Sequence, residues 1–245
     1  MMRLKQHVEG KVVDRASPTF ALVDLPNRLA DLAGEDLREV LTGTLAQREW
    51  IDDEACREMA ERLGSIGWVA QVHYVRRTSD ARFEVSCRYR QPFAMVQRQD
   101  QFFFVDVEGV RLPGRYLYSP TWRLIQGVGA STPDPGQVWP GDDLQAGVKV
   151  LRALEVEPYS QQVTAVLVDN FAGRVDSRAV HIELATDRAG GRIRWGSAPG
   201  RELEENSIAQ KLAILRENYR RTGRADANNP IIDISTFPDR FAVPG

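Results

Sequence analysis

The stretch YRQPFAMV, residues 89–96, stands at the end of a strand-like run, yet its Pro92 cannot donate a backbone hydrogen bond to a sheet ladder. Just upstream, ARFEVSCRYR (81–90) places Phe83, Val85, Cys87 and Tyr89 on one side. Glu84, Ser86, Arg88 and Arg90 fall on the other. This is the period of a half-buried strand. Proline inside a sheet is confined to edges, strand starts and bulges. The chain is therefore expected to leave one sheet near Pro92 and to enter another.

Working back from that point, WVAQVHYVRR (68–77) reads as a second strand, joined to 81–90 through TSD. DDEACREMAERLG (52–64) reads as a helix with Cys56, Met59, Ala60 and Leu63 on one face, opened by aspartates and stopped at Gly64. GEDLREVLTGTL (34–45) reads as a short helix and PTFALVDL (18–25) as a strand. The order is β-α-α-β-β, a small sheet with helices over one side.

Downstream of Pro92, strand-like runs lie at 101–107, 122–128, 163–169, 179–186, 192–195 and 231–235, with DRAGG as a hairpin turn. Two helices interrupt them, 142–155 and 202–223. The second carries Ile208, Leu212, Leu215 and Tyr219 as a buried stripe and ends at Gly223. The fold class is α+β, with an N-terminal tail over 1–17, a first domain over 18–96 and a mostly antiparallel β-domain with two helices over 97–245.

With 245 residues, 42% hydrophobic and 27% charged, the chain has the balance of a soluble globular protein. A net charge of −2 gives no electrostatic case for nucleic acid. The start MMRLKQHVEGKVVDR lacks the apolar core of a signal peptide, and no run is long enough to span a membrane. Read literally, the chain is cytoplasmic. Two cysteines are too few for a disulfide scaffold or a four-ligand zinc site. Cys56 and Cys87 read as core residues, with a bridge between them left open.

Chemistry is sparse in the remaining residues. His73 and His181 have no second ligand at metal-binding spacing. GVGAST (127–132) leads into PDPG instead of a helix, so it is no phosphate cradle. WGSAPG (195–200) lacks the spacing and following helix of a nucleophile elbow. His181, Glu183 and Asp187 are the nearest approach to an acid–base group, and alternation along one strand accounts for the first two equally well. The arginines of YVRR and RYR read as a solvated sheet face, and those of RENYRRTGR (216–224) as partners of a helix dipole. The expectation is a binding scaffold without cofactor, metal or small-molecule substrate.

Taken in order, the pieces resemble the extracytoplasmic part of the bacterial cell-division family FtsQ/DivIB. GWVAQVHYVRR (67–77) is similar to that family's pWV-x-x-V-x-V-x-R, and EVSCRYRQPFAMV (84–96) to its V-x-V-x-E-R-x-P-V-A. FFVDVEGV (103–110) resembles l-v-D-x-x-G. The run 190–215 resembles its strand, turn and long helix, and PIIDIS (230–235) its late v-D-l-R strand. The resemblance covers about residues 18–243. It departs where the family has a cytoplasmic tail and membrane span, and where Ser235 and Thr236 replace an arginine and an aromatic residue.

The resemblance implies a polypeptide-transport-associated (POTRA) domain followed by a β-domain, on the extracytoplasmic face of the plasma membrane. It implies a non-enzymatic scaffold that receives small coiled-coil division proteins of the FtsB and FtsL type by strand addition during septum formation. The implied partner-binding residues are Ile232, Ile234, Ser235, Thr236, Phe237, Arg240, Phe241 and Val243, with a second docking edge at Phe20–Val23. The alternative is a POTRA-containing accessory of protein secretion or outer-membrane assembly.

Overall fold

A computed structural model of the protein describes residues 18–46, 53–78 and 82–236. It is α+β, with four helices and two mixed sheets of three and seven strands among the described residues. The chain divides into two compact units between Tyr89 and Arg90. Among these residues no helix is long and apolar enough to cross a membrane.

The first unit runs β1 (Thr19–Leu22), α1 (Asn27–Ala46), α2 (Asp53–Ser65), β2 (Val69–Arg77) and β3 (Arg82–Tyr89). Its sheet has the order β1-β3-β2, with β1 parallel and β2 antiparallel to the central β3. Leu29, Ala33, Leu37, Leu41 and Leu45 recur every fourth residue and are all buried, so α1 presents one apolar stripe. That stripe also explains why α1 starts seven residues before the expected Gly34: Leu29 and Ala33 extend it back to Pro26. Ala55, Met59 and Leu63 do the same for α2. The inward set of β3, namely Phe83, Val85, Cys87 and Tyr89, is buried as its alternation predicts, and Phe20 stacks on Phe83 at 5.7 Å. The capping aspartate Asp52 lies outside the described residues.

No disulfide joins Cys56 and Cys87; Cys87 is buried, while Cys56 is only half-buried. Burial pushes the Cys87 thiol up to about 11. The folded chain thus holds this proton more tightly than the unfolded one. The resulting stabilisation is present below about pH 8.5 and is lost as pH rises towards the folded value. At about pH 8, Cys87 is expected to resist iodoacetamide in the folded chain and to react once urea unfolds it. Mass spectrometry of the labelled peptide checks this, and equal labelling in both states would contradict it.

Arg90–Phe93 connects the two sheets, so Pro92 sits where no ladder bond is required of it. The first domain was expected to continue to Val96. Instead β4 (Ala94–Arg98) already belongs to the second sheet, paired with β5 (Gln101–Val105). There follow β6 (Leu124–Gln126), α3 (Asp142–Glu155), β7 (Val163–Leu167), β8 (Ile182–Thr186), β9 (Arg192–Gly196), α4 (Ile208–Thr222) and β10 (Ile231–Asp233). The strand order is β10-β9-β8-β7-β6-β4-β5.

This sheet is mixed, a correction to the expected mostly antiparallel domain. β4 with β6, β6 with β7, and β9 with β10 are parallel; the other three pairs are antiparallel. For two of the three parallel pairs the reason is that α3 links β6 to β7 and α4 links β9 to β10. A helix between adjacent strands returns the chain to the end at which it began. One row of side chains in register crosses the whole sheet: Phe103, Val96, Ile125, Val166, Leu184, Ile193 and Ile232. It packs with Leu144, Leu151 and Leu154 of α3 and Leu212 and Leu215 of α4 in a single core. Both helices therefore cover the same face. α4 begins at Ile208, later than the expected 202, because Ser207 and Gln210 form a capping box there.

Candidate functional site

A sheet of seven strands has two edges, and here they are treated differently. Along β5 the chain turns back on itself. Asp106 Oδ1 accepts the N–H groups of Glu108 and Val110 at 2.9 Å, and Gly109 takes a positive φ of 77° to close the turn. Leu112 N–H then donates to Phe104 O, and Tyr116 N–H to Phe102 O, both at 2.9 Å. The D-x-x-G pattern read in the sequence is thus the device that returns the chain and covers this edge.

β10 forms the opposite edge and pairs only with β9 among the described residues. Arg192 N–H donates to Pro230 O and Ile234 N–H to Arg194 O. In a parallel ladder alternate residues direct their backbone groups to the same neighbour. Pro230, Ile232 and Ile234 therefore face β9, while the N–H and C=O of Ile231 and Asp233 point outward. Ile231 is 54% exposed.

Polar clamps hold both ends of this short strand. Ahead of it, the fully buried Asp226 accepts from Arg224, Arg188 and the Asn228 N–H. Burial alone would raise the Asp226 carboxyl, but these donors, Arg224 first, hold it below the usual carboxylate range. Beyond the strand, Asn206 N–H donates to Ser235 O, and its Nδ2 donates to Ile234 O and Thr236 O. Asp233 Oδ1 accepts both the N–H and the O–H of Ser235, so the open row stops at Asp233.

Beneath the strand end lies a charged group that no sequence pattern announced. Lys211, in the first turns of α4, has a side chain with no exposure at all. Its Nζ lies 3.1 Å from Glu205 Oε2 and 5.3 Å from the centroid of the Trp195 ring. Glu205 also accepts from Ser197 N–H and Oγ–H. The stripe of α4 was read from its apolar residues alone, and a lysine within it gives no apolar signal.

The expected partner-binding residues are placed unequally. Ile232 faces the helices, half-buried. Ile234 and Ser235 are buried, with backbone groups already used by β9, Asn206 and Asp233. Thr236 is exposed, though its carbonyl is held by Asn206. Phe237, Arg240, Phe241 and Val243 lie outside the described residues. Ile231 and Asp233, which were not singled out, carry the outward groups. The parity of a parallel pairing decides this, and a single strand's sequence does not contain its partner's direction. In the first unit, β1 is an edge strand and includes most of the Phe20–Val23 segment.

The group His181, Glu183 and Asp187 does not converge. Glu183 lies 3.8 Å from Arg194, Asp187 is paired with Arg224, and His181 precedes β8. The arginines expected at the end of α4 are ion-paired: Arg216 with Glu157 and Arg220 with Glu217. No group of three or more metal-ligating side chains gathers among the described residues. A recess of about 380 Å³ opens beyond the carboxyl ends of β4, β6 and β7, lined by Gln97, Arg98, Gln126 and Asp169 among others. Small-molecule sites are mostly apolar, and this lining is polar. The chain matches no family model and no curated protein.

Proposed function

We propose that this protein is a non-enzymatic scaffold that receives an extended segment of a partner by strand addition at β10. The observation that carries the reading is the unequal treatment of the two sheet edges: the chain covers β5 with its own residues, while among the described residues nothing pairs with the outer side of β10. Unpaired edge groups are a liability that proteins usually cover. A bare edge clamped at both ends is suited to holding a guest backbone. The β-α-α-β-β order of the first unit and the motifs quoted above support placing the protein with the FtsQ/DivIB family as a POTRA domain and β-domain. On that reading the guests are FtsB- and FtsL-type division proteins at the extracytoplasmic face of the plasma membrane. The first unit's β1 edge is then a second docking surface.

The test uses proline as a selective blocker. At Ile231 it removes an outward N–H and leaves the bonds to β9 intact, as proline does on an edge strand. Ile231→Pro is expected to abolish capture of a purified FtsB-type protein by the full chain, with the thermal unfolding midpoint nearly unchanged. Calorimetric titration of the two proteins measures the first and scanning calorimetry the second. Undiminished binding by a folded Ile231→Pro chain would remove the edge from consideration.

A further inference from the structure

We infer that the guest strand carries a basic residue opposite Asp233 and an aliphatic residue, two positions away, opposite Ile231. This deepens the strand-addition reading and rests on it. On the sheet face away from the helices, Glu183 of β8 is paired in register with Arg194 of β9, and Arg194 with Asp233 of β10. The signs alternate, minus, plus, minus, and the row ends at the open rim. Arg194 Nε lies 3.8 Å from Glu183 Oε1, while Asp233 has no cation within salt-bridge distance among the described residues. Among the described residues only Oδ1 of Asp233 is engaged, by Ser235, and Oδ2 is the oxygen offered to a guest.

The neighbouring row of the same face runs Ala185, Arg192, Ile231 and ends on a half-exposed isoleucine. Directly opposed cross-strand residues of opposite charge attract and like charges repel, and β-branched residues pair well with apolar ones. Ile231 and Asp233 lie two apart on one face. The residues facing them on a guest strand are therefore also two apart and share a face, whichever way the guest runs. An acidic residue opposite Asp233 would extend the row with two like charges. The ion pair is exposed, so it selects among guests more than it tightens binding.

The experiment selects nine-residue peptides from a random displayed library on the full chain, discarding those that also bind Ile231→Pro. The survivors are expected to carry Lys or Arg two positions from Val, Ile or Leu. In a synthetic peptide of the consensus, exchanging that Lys for Glu is expected to weaken binding about three- to tenfold. Asp233→Lys in the protein should reverse the preference, and added salt should shrink it. Peptides that depend on the Ile231 amide but carry Glu or neutral residues at that position would overturn this inference while leaving strand addition in place. If no peptide is sensitive to Ile231→Pro, strand addition itself fails.

Discussion

Glu205→Ala is expected to destabilise the second unit by about 3 kcal/mol, while Lys211→Met changes its stability by less than about 1 kcal/mol. The asymmetry follows from which group is left behind. Lys211 is fully buried, and its ammonium has Glu205 at 3.1 Å and the face of Trp195 at 5.3 Å. Removing the carboxylate strands a charge in the core beneath β9, and the Ser197 N–H and O–H lose their acceptor in the same step. Methionine in place of Lys211 keeps the volume and the contact with Trp195. The Glu205 side chain is 22% exposed and retains both Ser197 donors, so it tolerates the loss of its cation. Urea denaturation, with hydrogen exchange read at the amides of β9 and β10, measures both variants. Equal losses would show that the pair does not act as a buried ion pair.

The second large effect is expected at Gly196, where β9 passes close under the end of β10. Gly196 has a φ of 94°, and a Cβ there would stand 2.4 Å from Glu205 Oε2 and 2.7 Å from Ser235 Cβ. Alanine at this position is strained by its backbone alone, at about 1–2 kcal/mol. The two contacts then push Glu205 away from Lys211 and Ser235 away from its place beside Asn206. Gly196→Ala is expected to lower stability by about 3 kcal/mol and to weaken guest capture as well. Ile231→Pro is expected to affect capture alone. A Gly196→Ala chain with the stability and capture of the original would show that this close approach is not obligatory.

These expectations separate what is written locally from what is not. The alternation of 81–90, the apolar stripe of α2, the span of α3, the DRAGG turn and the change of sheet around Pro92 are all legible in the residues. Each depends on side chains a few positions apart or on the missing N–H of one proline. The D-x-x-G pattern reads as part of a strand in the sequence, and neither its turn nor its role in covering β5 is legible there. Helix starts are less legible for the same local reason: Gly34 precedes an acidic turn that reads as a beginning, and the Ser207 cap follows an acidic run that reads as helix.

The direction in which strands pair, and hence which backbone groups of β10 face outward, depends on a neighbour that the strand's own residues do not specify. So does the fate of Lys211, whose burial requires Glu205 and Trp195 to arrive from different segments. By itself the sequence determined most of the elements, β4 excepted, together with their order and the apolar faces they would bury, because periodicity is a property of one stretch of chain. Only the tertiary structure decided that β5 is covered and that β10 is left open among the described residues, that Asn206 and Asp226 clamp the open strand, and that Ile231 and Asp233 present it. Those outcomes are set by contacts between residues far apart in the chain, and no local pattern encodes them.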